Sequence, residues 1–229
     1  MVILIFSSFS LLLNKGSEFL RIEKESLSYT YTYEDYSFEG YAEREEVVNP
    51  GGFGIRANYT KNFVGAGFGF TYFAEDYNVT GSVKANLPPP IPSSYSLQES
   101  LPYRHASISL GFTADMVPTQ FFFFMFMLHI SYNWIIPVAT KDYIEEKILK
   151  EVEDILKGDL SIEIPAPELE ERWGVFISMG TGGRINLRVV NLRVVNLRVG
   201  AGLEIMRLFS PSSVFSGTAR LKLIMGIDI

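Results

Sequence analysis

A chain of 229 residues with 47% hydrophobic and 20% charged side chains is greasier than an ordinary soluble domain, and 14% of it is aromatic. A net charge of −6 with no concentrated basic face argues against a nucleic-acid partner, because displacing counterions from phosphates takes clustered Lys and Arg. The lack of cysteine excludes disulfides, thiol chemistry and Cys-ligated metal.

Residues 2–13 have the length and apolarity of a secretory h-region, without a basic n-region or a small-residue cleavage site. The expectation is an export signal over residues 1–16 with a truncated start, followed by one domain over 17–229; an N-terminal strand is the alternative. From Ser26 the chain alternates with a period of two. Leu27, Tyr29, Tyr31 and Tyr33 oppose Ser28, Thr30, Thr32 and Glu34, and a turn near Asp35 leads to Tyr36, Phe38, Gly40 and Ala42 opposite Ser37, Glu39, Tyr41 and Glu43. After the break at Asn49-Pro50-Gly51-Gly52, Phe53, Ile55, Ala57 and Tyr59 oppose Gly54, Arg56, Asn58 and Thr60, and Lys61-Asn62 turns the chain. Two further strands are predicted, one with Val64, Ala66, Phe68, Phe70 and Tyr72 on its apolar face, the other with Val79, Val83, Ala85 and Leu87.

Residues 88–102 open with Pro-Pro-Pro-Ile-Pro and read as a stiff loop. A long hairpin follows. Ala106, Ile108, Leu110 and Phe112 oppose His105, Ser107, Ser109 and Thr113, and after residues 116–118 Phe122, Phe124, Phe126, Leu128, Ile130, Tyr132 and Trp134 oppose His129, Ser131 and Asn133. Residues 121–138 approach the length of a membrane-spanning helix, but polar residues spaced by two belong to a strand face. The long segment 139–171 holds an amphipathic helix over 141–157, with Thr140 as N-cap, Ile144, Ile148, Val152, Ile155 and Leu156 on one side, and Gly158 as stop. Beyond it, Trp173, Val175, Ile177 and Met179 alternate, and residues 180–183 read as a turn. Asn-Leu-Arg-Val-Val is then repeated from Asn186, with a third copy ending at Gly200; residues 184–208 are taken as one long strand. Leu221, Leu223, Met225, Ile227 and Ile229 close the chain.

Strand after strand with one apolar face and one small or polar face cannot be buried in a soluble sandwich. It fits an all-β fold, a closed antiparallel up-and-down transmembrane β-barrel of about ten strands (about eight to twelve), with the amphipathic helix in a long loop. In pattern, residues 17–229 resemble the small bacterial outer-membrane β-barrels, a likeness of class that picks out no specific family; such barrels usually end on an aromatic residue where this chain has Ile229. The resemblance implies a bacterial outer-membrane location, membrane lipid as partner and no cofactor. With the N-terminus on the inner side, turns near 35 and 61 and the segments 88–102 and 139–171 fall outside, whereas 48–52, 75–78, 116–118 and 180–183 fall inside. Tyr33, Tyr36, Tyr59, Trp134 and Trp173 then form an outer aromatic belt, with Phe53, Tyr72 and Tyr77 forming the inner one.

The same phase sends Glu39, Glu43, Arg56, Lys84, Arg172, Arg220 and Lys222 into the lumen as an ion-pair ladder or a polar channel. A hairpin centred on Val117 would set His105 opposite His129, their Cβ atoms about 5 Å apart, within a polar cluster that includes Ser107, Ser131 and Asn133. Further zinc ligands are missing, so no metal is expected. His105-Ala-Ser107 resembles the His-x-Ser pair of outer-membrane lipid hydrolases, but those face the membrane and this pair faces inward, without an orienting partner. Gly65-Ala-Gly67-Phe-Gly69 lies within a strand and is no dinucleotide fingerprint; its small side chains make room for larger lumen residues. The expected function is a scaffold or narrow pore whose surface loops meet a small solute or partner. The alternatives are a soluble secreted barrel binding an apolar ligand, and a membrane-embedded lipid hydrolase.

Overall fold

The computed structural model describes residues 7–33, 35–86, 94–119, 121–156, 163–187, 195–209 and 217–228. In chain order the strands are β1 (Ser7–Phe19), β2 (Arg21–Ile22), β3 (Glu25–Tyr33), β4 (Tyr36–Arg44), β5 (Val47–Val48), β6 (Gly51–Lys61), β7 (Val64–Ala85), β8 (Ser94–Thr119) and β9 (Phe122–Ile136). Helix α1 (Lys141–Leu156) precedes β10 (Glu170–Leu187), β11 (Val195–Phe209) and β12 (Gly217–Asp228). Eight of these close into an antiparallel up-and-down barrel in the cyclic order β1-β6-β7-β8-β9-β10-β11-β12, and β3 and β4 extend one wall beyond it. The barrel therefore has eight strands where the sequence suggested about ten.

Three differences in strand count have physical causes. Residues 64–72 and 78–85, read as parts of two strands, belong to the single 22-residue β7, because Glu75 and Asp76 interrupt the apolar pattern without turning the chain, and Leu87 lies outside the described residues. Residues 94–102, read as loop, form the start of β8 and pair with β7 from Lys84 down to Asp76. Residues 180–183 are not a turn: the four stand in β10 opposite residues 199–202, and Asn186 pairs with Asn196, so the pentapeptide repeat straddles a hairpin. The polyproline stretch, Gly158, Arg188 and Arg193 lie outside the described residues. Ser7–Phe19, largely assigned above to an export signal, forms the strand that closes the barrel between β6 and β12, which is the alternative reading of that stretch.

The register fixes the barrel's girth. Passing from Phe19 through Ala219, Ile205, Ile177, Leu128, Phe112, Ala66 and Tyr59 leads back to β1 at Phe9, ten residues from the start. A stagger of that size in eight strands tilts them by about 40° and leaves an interior that side chains can fill. Both described termini, the Asn62-Phe63 turn and the β8–β9 turn lie at one end; β2 to β5, the segment with α1 and the β11–β12 connection lie at the other. This corrects the sidedness of the turns near 61 and at 116–118, which share an end. The β6–β7 turn takes positive φ at Asn62 (52°) and Phe63 (76°), the two-residue geometry that suits the strand twist.

Polarity reverses along the longest strands. In β7 the inward positions run Gly67, Gly69, Thr71 and Phe73 within the barrel and then Tyr77, Val79, Val83 and Ala85 above it, all in one phase. The outward positions change oppositely, from Phe68 and Tyr72 to Asp76, Asn78, Thr80, Ser82 and Lys84. The apolar face predicted for Val79 to Ala85 is therefore a buried face. In the upper sheet, ordered β3-β4-β7-β8, it joins Leu27, Tyr29, Phe38, Leu97 and Leu101 in a core that also takes in Ile144, Ile148 and Val152 of α1. Helix α1 packs its apolar stripe on β3, and Thr140 caps it by accepting from the Tyr143 amide at 3.3 Å. We call this sheet and helix the headpiece. On the barrel wall, by contrast, Phe68 (52% exposed), Leu223 (64%) and Leu110 (62%) all point outward.

Candidate functional site: a filled lumen beneath a headpiece cleft

The interior of the barrel is occupied by two layers of buried ions. In the layer nearer the headpiece, the Glu204 carboxylate takes Lys222 (2.6 Å), Arg220 (3.0 Å) and Arg56 (3.1 Å). Arg220 bridges to Glu18 at 3.0 Å, and Glu18 also accepts from Tyr103 at 2.7 Å and meets His105 Nδ1 at 2.9 Å. In the layer nearer the termini, Arg198 binds Asp115 and Asp228, each at 2.7 Å, and Arg184 joins Asp228 at 3.1 Å. Met125 and Met127 are buried between the layers, and the buried rings of Phe176 and Phe123 stand against the layers themselves, with the Arg56 guanidinium 5.1 Å from the Phe176 ring centre and the Arg198 guanidinium 5.1 Å from that of Phe123. Burying these charges is costly unless each is paired, and the ladder meets that demand by crossing the lumen from wall to wall.

Glycines make the crossing possible. A Cβ at Gly67 would collide with Asn58 Oδ1, and one at Gly69 would stand 3.0 Å from Arg56 Nε, so the Gly-x-Gly-x-Gly run clears the space these side chains need. Inversion of the barrel, as a soluble carrier of an apolar ligand would require, is not what is observed: Arg56 and Arg220 are inside and Phe124 and Leu223 outside.

Of the predicted lumen charges, Arg56, Arg220 and Lys222 meet in the upper layer. Glu39, Glu43 and Lys84 do not enter the lumen; they lie on the outward face of the headpiece sheet, where the strands have already left the barrel. Arg172 sits at the rim, paired with Glu170. The partners Glu18, Glu204, Asp115, Arg198 and Asp228 were missed. Each shares the inward phase of its strand, which was the available signal, but Glu18 stood next to the supposed export signal and Arg198 inside the repeat.

The histidines are both inside but not together. His105 pairs with Ile135 and His129 with Gly111, because β8 runs on to Thr119, which pairs with Phe122, and the hairpin is not centred on Val117. Along β9, six residues, roughly 20 Å of strand, separate His129 from Ile135, the partner of His105. His105 contacts Glu18, Asn133 and Arg220, whereas His129 lies against Thr113, Ser109 and the Phe176 ring. Ser107 shares its hydroxyl with Thr71 at 2.6 Å and Ser131 accepts from Asn133 at 3.0 Å. His105 and Ser107 thus have different partners, and neither reaches the outward face. Among the described residues no group of three or more His, Asp or Glu is arranged to hold a metal.

The aromatic belts are also redistributed. Phe53, Tyr72, Trp134 and Trp173 ring the headpiece end of the wall, with Tyr132 5.0 Å from both Trp rings; Tyr59 joins Phe9, Phe63, Phe121 and Phe122 at the other end. Tyr36 belongs to the headpiece, Tyr33 has a described backbone only, and Tyr77 is buried, its hydroxyl accepting from the Ala139 amide at 2.8 Å.

Above the filled lumen a cleft of about 930 Å³ opens between the headpiece and the barrel rim. Residues 22–25, Arg44, the segments 137–140 and 165–170, and Tyr143, Lys147 and Arg172 line it. Arg44 forms its floor, donating to the Ala139 carbonyl at 2.7 Å and bridging to Glu25 at 3.1 Å. Burial pushes the Tyr143 phenol above its ordinary value, and the hydrogen bond to Glu146 raises Lys147, so at neutral pH the cleft wall carries a neutral phenol and a charged ammonium. In the adjoining strand the hydrogen bond from Lys24 holds the Glu43 carboxyl below the usual range. A mixed apolar and charged wall of this size suits a small molecule or a short peptide segment.

No protein-family model matches the chain, and no curated protein matches it by sequence. Among solved structures it is similar to Ail, the attachment invasion locus protein of Yersinia pestis, solved in complex with the heparin analogue sucrose octasulfate, at 10% identity and a TM-score of 0.44 over 97% of this chain and 99% of that one. It is also similar to Neisserial surface protein A (NspA), at 10% identity and a TM-score of 0.40 over 97% and 96% of the two chains. The outer membrane protein OprG from Pseudomonas aeruginosa gives 11% identity and a TM-score of 0.37 over 97% and 95%.

Proposed function

We propose that this chain is a sealed barrel of the bacterial outer membrane, a scaffold that holds its headpiece and rim cleft on the outer side for a surface partner or small ligand, and that it is neither a pore nor an enzyme. Support for the membrane comes from the outward wall, apolar between two aromatic girdles, as strands in hydrocarbon require. The reversal of polarity in β7 and β8 above the girdle matches strands that pass from lipid into water. Against a pore, the observation that carries the reading is the layer of Glu18, Glu204, Arg56, Arg220 and Lys222, every member buried and paired across the lumen. Against an enzyme stands the engagement of Ser107 with Thr71 and of His105 with Glu18, since a nucleophile needs its base as hydrogen-bond partner.

Conductance of the purified protein in a planar bilayer tests this. A sealed scaffold leaves the bilayer silent at voltages that open no defects in the lipid itself. Stable ohmic steps from the unmodified protein would refute the scaffold in favour of a pore.

A further inference from the structure

One outward side chain has no role in the sealed-scaffold reading. Along β1 the outward positions run Phe9, Leu11, Leu13, Lys15, Ser17, Phe19, so Lys15 stands where the phase calls for an apolar residue. Its neighbours in register are Phe53 on β6 and Leu223 on β12, both more than half exposed on the same wall. Lys15 is exposed and has no ion-pair or hydrogen-bond partner among the described residues. It stands beside Phe53, a member of the headpiece-end girdle, and six residues above Phe9, which at the strand rise and tilt of this barrel is about 15 Å above the other girdle.

A cation on the lipid-facing wall beside an aromatic girdle stands where the hydrocarbon meets the lipid headgroups. Its methylene stem can lie along the wall and lift the ammonium toward the nearer girdle, past the Ser17 hydroxyl, the next outward polar group on the strand. Among the described residues no anion pairs with it there. We infer that Lys15 and Ser17 form a docking site on the barrel wall for a phosphorylated lipid of the outer leaflet, an inference that rests on the membrane reading above. The ammonium pairs with the lipid phosphate, the Ser17 hydroxyl donates a second bond, and the acyl chain lies over Leu13, Ile55 and Leu223.

The test is lipid titration of the purified barrel in a neutral detergent, read by native mass spectrometry and by melting temperature. Phosphatidylglycerol should be retained and should raise the melting temperature, whereas diacylglycerol, which lacks the phosphate, and inorganic phosphate should do neither. Lys15→Met should weaken phosphatidylglycerol retention tenfold or more, and Lys15→Arg should keep it. Removing a charge from an apolar wall does not threaten folding, and heat-modifiable gel mobility verifies that. Equal retention by the wild type and Lys15→Met, or the same shift with inorganic phosphate, would overturn the site. A chain that stays folded and monodisperse without detergent would instead refute the membrane reading, before any lipid is added.

Discussion

Glu204 holds three cations, Arg56, Arg220 and Lys222, and among the described residues no other carboxylate pairs with Lys222 or Arg56. Replacing it with Gln leaves Arg56 and Lys222 buried without a carboxylate and Arg220 with Glu18 alone, a change that costs roughly 3–5 kcal/mol when one partner of a buried pair is lost. Glu204→Gln should therefore lower the urea midpoint of unfolding in detergent micelles by a corresponding amount; an unchanged midpoint would mean that water already reaches this layer. At this scale the sequence was half legible. Phase alone brought Arg56, Arg220 and Lys222 inside, since each alternates with outward apolar residues. It could not say which carboxylate each would meet, because Glu18 and Glu204 come from strands far apart in the chain and their encounter depends on the stagger of the closed barrel. The His105–His129 pairing failed for a similar reason: β8 runs on past Val117 to Thr119, which shifts every opposite pair by six residues or more.

Helix α1 and the β3–β4 hairpin show what an element gains from its neighbours. The helix was readable from Thr140 and the Ile144, Ile148, Val152 stripe, all three of which are buried. Its partner was not readable, because Val79, Val83 and Ala85 look like a membrane-facing strand when the polarity reversal in β7 goes unnoticed. What ties the helix to the sheet is the Ala139 peptide, whose amide donates to Tyr77 Oη and whose carbonyl accepts from Arg44. Tyr77→Phe leaves that buried amide unpaired, at a cost of about 1–3 kcal/mol. Amide exchange within α1 should accelerate by one to two orders of magnitude in this variant, with exchange in β9 and β10 unaffected. Equal acceleration in barrel strands would show that the headpiece does not unfold as a separate unit.

For the molecule as a whole, the period-two pattern was enough to predict a closed antiparallel barrel with its apolar side outward, because a one-residue change of phase would turn every side chain to the other face. Strand number was less legible, since the 22 residues of β7 and the 26 of β8 exceed what a membrane needs and the excess builds the headpiece. The eight-strand closure and ten-residue stagger then give a lumen narrow enough for arginines and methionines to fill, which is why a barrel with a polar interior is read as a scaffold. The native chain lacks cysteine, so single cysteines at Leu223 on the wall and Ser82 on the headpiece can each carry a fluorophore in lipid vesicles. The account predicts that a nitroxide placed in the acyl chains quenches the probe at 223 strongly and the probe at 82 negligibly, while a water-soluble quencher does the reverse. Strong quenching at 82 by the lipid nitroxide, with the probe at 223 open to the aqueous quencher, would contradict it.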